Sequence, residues 1–262
     1  MNEIITSDGE VLPVLSDEMY GSDVLGYSEK SDDSLIPVLS ILQDNSGEVK
    51  KKHERYVEGA EAGMFIIRSL QMVFEADKPI LFQPCGFSHM WVEWTGEPGE
   101  GGAPVAQYHF DERPAAAEQI VSKDGKSEWR MPETNNRLVE TRHHFGNIVR
   151  GEGEITPVVI AMSGTNHSVS RQWTAVMKQF RVPNKNVKAP AFMRTYELST
   201  SFTQKGSQSW YKYKVKDAGW ITSRQLLEEG FAFAKAIAAN EVRAGVDNEG
   251  ADLGAEDEGS PI

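Results

Sequence analysis

Ten basic and eight aromatic side chains crowd into residues 165–216, together with one acid, Glu197. The bases are Arg171, Lys178, Arg181, Lys185, Lys188, Arg194, Lys205, Lys212, Lys214 and Lys216. The rings are Trp173, Phe180, Phe192, Tyr196, Phe202, Trp210, Tyr211 and Tyr213. A local net charge of +9 inside a chain of net charge -12 is the strongest chemical signal in the sequence. Cations interleaved with flat rings suit a polyanion that also carries flat bases: the cations neutralise phosphates and the rings stack bases. The segment Trp210–Lys216 makes this concrete. Side chains alternate across a strand, so Trp210, Lys212, Lys214 and Lys216 share one face and Tyr211, Tyr213 and Val215 the other. The plainer alternative is a solvated edge strand whose lysines prevent aggregation. In Phe192–Tyr196, the side chains of Phe192, Arg194 and Tyr196 likewise share a face, either as a stacking and phosphate contact or as core. Trp173, Val176, Met177 and Phe180 fall at helical spacing, and Trp173, Met177 and Phe180 read as core.

Other chemistry is weaker. Cys85 and His89 are four apart and His143-His144 follow Glu140. A metal needs three or four convergent ligands, and adjacent strand residues diverge, so no metal is expected. A phosphate loop, a nucleophile elbow and a His-Glu-x-x-His motif are all missing from the sequence. The basic segment also lacks the paired carboxylates of a metal-dependent nuclease, although Glu93 or Glu140 could converge on it. No cofactor is expected, and the protein is read as a non-enzyme. Trp91 and Trp94 point to opposite faces of a strand, one expected in the core and the other exposed.

These residues need elements to position them. Residues 1–34 are acidic and aperiodic and read as a disordered tail. Residues 35–43 read as extended or as a short helix from Pro37. Strands are expected over 64–70, 80–83, 88–94, 104–110, 137–150 and 155–162, with 96–102 a Gly-rich hairpin tip and 111–136 irregular. A helix is expected near 168–181, capped by Ser168 or Ser170 and ended by Pro183. Strands over 191–203 and 209–216 follow, joined through Lys205-Gly206. A last helix runs over 223–242, opened by a Thr222/Gln225 capping box. The order predicts an α+β fold, mainly antiparallel β, with an OB-like barrel as a candidate. One domain, 35–242, lies between the first tail and a flexible acidic tail, 243–262.

One cysteine excludes a disulfide framework, no apolar run approaches membrane-helix length and no leader is readable. A cytoplasmic, non-membrane protein is expected. The C-terminal run Glu256-Asp257-Glu258, ending in Ile262, reads as a solubilising tail or as a tethered polyanion that competes for a cationic groove and contacts partner proteins.

The β-rich body, the basic-aromatic segment and the acidic tail ending in an apolar residue resemble the replication single-stranded-DNA-binding proteins of bacteriophages. Ile36–Gln43, Trp91-Val92-Glu93-Trp94 and Ser170-Arg171-Gln172-Trp173 carry the same likeness. The resemblance implies an OB fold, sequence-tolerant binding of single strands in replication, recombination and repair, and a tail that recruits phage replication proteins. This chain is longer than the compact bacterial type. The candidate contacts are Arg142, Arg171, Lys178, Arg194, Tyr196, Lys205, Trp210, Lys212, Lys214 and Lys216, with Glu256, Asp257, Glu258 and Ile262 for partners. A homodimer is compatible with the sequence. The rival readings are a nuclease and a phage structural or assembly protein.

Overall fold

Two long strands form the spine of the molecule. The structure, a computed structural model, describes residues 4–5, 11–12, 35–95, 104–121, 125, 127–185 and 187–245. The strands are β1 (Ile4–Ile5), β2 (Val11–Leu12), β3 (Leu35–Ile36), β4 (Leu39–Ile41), β5 (Phe65–Ile67), β6 (Met72–Phe74), β7 (Ile80–Trp94), β8 (Pro104–His109), β9 (Glu118–Val121) and β10 (Ser127–Arg130). After them come β11 (Arg137–Val149), β12 (Ile155–Met162), helix α1 (Asn166–Met177), β13 (Arg194–Lys205), β14 (Gln208–Trp220), helix α2 (Arg224–Ala238) and β15 (Arg243–Ala244). The fold is α+β and mainly antiparallel β, as the order of sequence patterns predicts.

β7 and β11 pair along nearly their whole lengths, from Leu81↔Val149 to Trp94↔Arg137. The ribbon forks at both ends. β13 joins β7 at Ile80–Phe82 and β14 follows it, while β8 joins β7 at Met90–Trp94. On β11, β12 covers Arg142–Val149 and β10 takes Arg137 and Leu138. The eight-stranded sheet is open: among the described strands no sheet closes on itself.

The sequence reads 80–94 as two strands because Pro84 and Gly86 interrupt it. The structure keeps one strand and absorbs the interruption in a register shift at Phe145/Gly146, opposite these two residues. Residues 111–136, expected to be irregular, include the hairpin of β9 and β10. Ile4–Ile5 pairs with Val11–Leu12, a local pairing inside the segment expected to be a tail. The hairpin tip 96–102 and the tail beyond Gly245 lie outside the described residues.

The main core lies on one face of the sheet. Phe82, Ile148, Ile160, Met162, Tyr196 and Leu198 turn inward beneath Trp173 of α1, and the β4–β6 sheet adds Leu39, Phe65 and Ile67. Such side chains contribute about 2 kcal/mol each on burial. The opposite face receives α2. Gly86 and Gly230 permit its close approach: a Cβ on Gly86 would meet Ile237, and one on Gly230 would collide with the Gln83 amide. Gln83 donates to the carbonyls of Phe192 (2.9 Å) and Leu226 (2.8 Å), which ties the sheet to the helix. Ser223, not Thr222, caps α2, accepting from the Leu226 amide. β15, the last described strand, runs parallel to β3.

Candidate nucleic-acid interface

β14 is the outermost strand on its side of the sheet, and its alternation is the predicted one. Tyr213 is buried, stacks on Phe65 at 5.8 Å and donates to the Leu39 carbonyl at 2.7 Å. Tyr211 and Val215 pack against the same core. Trp210, Lys212, Lys214 and Lys216 therefore turn away from it. Lys214 and Lys216 are exposed, and Lys212 and Trp210 are half-buried. Across the pair stand Thr203, Ser201, Ser199 and Glu197 on β13. Glu197 meets Lys216 at 3.0 Å; the short hydroxyls leave room beside the other lysines.

The free edge of β14 is protected by side chains rather than by a further strand. Gln43 accepts from the Tyr211 amide at 2.7 Å and donates to its carbonyl at 2.9 Å. Asn166, at the start of α1, accepts from the Tyr213 amide at 3.1 Å. Neither residue stands out in the sequence, because a polar side chain that caps a sheet edge has no local pattern.

Two of the predicted contacts are enclosed. Arg194 is buried, and its guanidinium makes a two-toothed pair with Asp217, Nε lying 2.9 Å from Oδ1. It also lies 3.6 Å from the centroid of Phe180 and 4.6 Å from that of Trp220. Tyr196 is 2 % exposed and meets Trp173 edge-on at 5.5 Å. Burial pushes its phenol up to about 12. Both residues hold the interior together. The shared face that the alternation assigns to them is real, but it turns toward rings and a carboxylate instead of water.

The remaining candidates sit apart. Arg171 is exposed on α1, Lys178 follows the helix end, and Lys205 lies at the tip of the β13–β14 hairpin. Arg142 lies on β11, on the α1 side of the sheet, across from the lysine row. Glu256, Asp257, Glu258 and Ile262 lie outside the described residues.

Several residues with catalytic or ligating chemistry are enclosed. His144 shares a 2.7 Å hydrogen bond with Ser170 and stacks on Trp173 at 4.4 Å. Both partners are 0 % exposed, so no substrate reaches this serine–histidine pair. Ser170, an expected cap of α1, is thus a core residue; Thr165 occupies the cap position. Burial lowers the pKa of His143 to about 4 and that of His144 to about 3, so both are neutral near neutral pH. Burial also pushes the Cys85 thiol up to about 12. Among the described residues no three His, Cys, Asp or Glu side chains gather as metal ligands would. Trp91 and Trp94 are both buried, at 6 % and 8 % exposure; neither offers the open ring expected of one of them. Strand β8 and the turn after it supply the cover that the sequence leaves unread: Trp91 donates to the Phe110 carbonyl at 3.0 Å.

Among the described residues no helix is long and apolar enough to cross a membrane. No curated protein and no solved structure matches the chain. One family does, over residues 7–243, which takes in every described element except β1 and the last residue of β15. The chain therefore belongs to the family of Pam3 phage gp34-like proteins.

Proposed function

We propose that this protein binds single-stranded DNA with little sequence preference, protecting it during phage DNA replication, recombination and repair, and catalyses no reaction on it. The observation that carries the reading is the outward row Trp210, Lys212, Lys214 and Lys216, backed by a face of Tyr211, Tyr213 and Val215 that is packed into the core. Cations spaced two residues apart lie about 6.6 Å from one another along a strand, close to the spacing of successive phosphates in an extended polynucleotide. Trp210 offers a ring beside the row, and Lys205 extends the charge to the hairpin tip. Membership of a phage family supports the setting. An OB-like barrel belongs to this reading as an expectation; the long antiparallel ribbon favours it, and the open sheet does not. The acidic tail would contact replication proteins, with Glu256, Asp257, Glu258 and Ile262 as the contacts, in a cytoplasmic protein able to form a homodimer.

The test is a titration of tryptophan fluorescence with oligothymidylate and with duplex of equal length, at several salt concentrations. Tight single-strand binding with a steep salt slope is expected. Equal affinity for duplex would point to a general basic docking surface, and metal-dependent loss of a labelled oligonucleotide would point to a nuclease.

A further inference from the structure

A second ring-and-cation site lies on the α1 side of the sheet, across from the lysine row, where β7 and β11 run past the start of the helix. Phe87, paired with His144, and His89, paired with Arg142, occupy neighbouring positions of one face. Phe87 is 40 % exposed. Its inner edge rests on the buried His144 ring at 5.1 Å, which in turn is held by Trp173 and Ser170. An open ring on such a support is fixed in place before any ligand arrives.

Beside it, the Arg142 guanidinium lies 6.0 Å from the Phe87 centroid. Its Nε is enclosed and has no hydrogen-bond partner among the described residues. The nearest carboxylate, Glu140, is 3.7 Å away and already accepts from His89 at 2.7 Å. Arg142 is thus held near a carboxylate whose best bond goes elsewhere, in contrast to the fully paired Arg194. His167 of α1 donates to the Glu140 carbonyl at 3.0 Å. Arg171 stands one turn further along the same helix, so a second guanidinium borders the site.

We propose that this is a nucleotide subsite: a phosphate oxygen is held by Arg142, with Arg171 adding charge, and the adjoining base stacks on Phe87. The proposal rests on the reading of the protein as a single-strand binder and adds a contact away from β14. Glu140 opposes the phosphate, so it limits affinity at this position.

The test uses the full chain with a 5-iodouracil-substituted oligothymidylate, combining photocrosslink mapping with binding titrations. Crosslinks at Phe87 are expected. Phe87→Leu keeps the apolar volume and removes the ring; it should weaken binding roughly fivefold or more with the thermal midpoint little changed. Arg142→Gln should weaken binding and reduce the salt slope by about 0.7, the loss of one phosphate contact. Glu140→Gln should tighten binding, a gain that a purely structural role for this cluster would not give. Crosslinks confined to β14, with unchanged affinity in Phe87→Leu and Arg142→Gln, would overturn the subsite while leaving the single-strand reading intact. A wild-type chain that binds no oligothymidylate would remove both.

Discussion

The start of β13 and the outer face of β14 have similar compositions and opposite fates. Around Arg194 the cation is enclosed by Asp217, Phe180 and Trp220, and Tyr196 is sealed against Trp173. Along β14, Lys212, Lys214 and Lys216 look outward with Trp210, and among the described residues only Lys216 has a carboxylate within ion-pair distance. The difference is one of register. A shift at Thr195/Tyr196 sets Tyr196 opposite Asp217, and that carboxylate pairs with Arg194 beside the Phe180 ring. Further along the pair, hydroxyl residues face the lysines. A basic residue next to an aromatic one is therefore ambiguous until its surroundings are known: Arg194 is enclosed by a carboxylate and two rings, whereas Lys212 and Lys214 stand opposite serines and stay available.

Breaking the closed region should have the largest effect. Arg194→Ala removes one member of an enclosed pair and leaves Asp217 and two rings without their partner. Because Asp217 stays partly exposed, at 36 %, the cost should lie at the low end for such pairs, about 3 kcal/mol in a urea melt. Any binding that survives should keep its salt slope, since this arginine meets no phosphate.

Acid should act on the same interior. His143 and His144 have folded pKa values lowered to about 4 and about 3, against an ordinary 6.5. The unfolded chain takes up protons first, so the stability these residues contribute is complete above pH 6.5 and falls as the pH drops toward 4. At pH 5.5 each histidine should cost about 1 kcal/mol relative to pH 7.5, seen as a lower thermal midpoint. A midpoint that stays level between pH 7.5 and 5.5 would mean that these rings are not enclosed.

The smallest effect is expected at the rim of the open region. Gln43→Ala strips the cap from the Tyr211 amide and carbonyl, at about 1 kcal/mol. It should also promote self-association through the bared edge of β14, measurable by sedimentation. Unchanged association would show that another group protects that edge.

Particular residues show how far the sequence could be read. The alternation of Trp210–Lys216 gave the two faces of β14 correctly, because burial on one side imposes a period of two. The α1 and α2 patterns show for the same reason at a period of 3.6, although α1 ends at Met177, which leaves Phe180 beyond the helix against Arg194 and Val176 exposed. Pro84 and Gly86 hide the continuity of β7, since only the pairing with β11 shows that Cys85 between them is the extra residue of a bulge that lets the strand run on. Arg194 and Tyr196 read from the sequence either as contacts or as core, because their enclosing partners, Asp217, Phe180 and Trp173, lie elsewhere in the chain. Phe87 carries no signal at all: an isolated phenylalanine reads as core, and its open ring is visible only in the fold.

The central claim is that the lysine row of β14 is where a single strand is held. The most direct measurement compares the wild-type chain with Lys212/Lys214/Lys216→Ala in salt-dependent titrations of oligothymidylate. Three lost phosphate contacts should lower the slope of log K against log salt by about 2, since each contributes about 0.7 on a single strand. The melting temperature should hardly move, because these side chains face away from the core. A slope that stays the same in a folded triple variant would contradict the account.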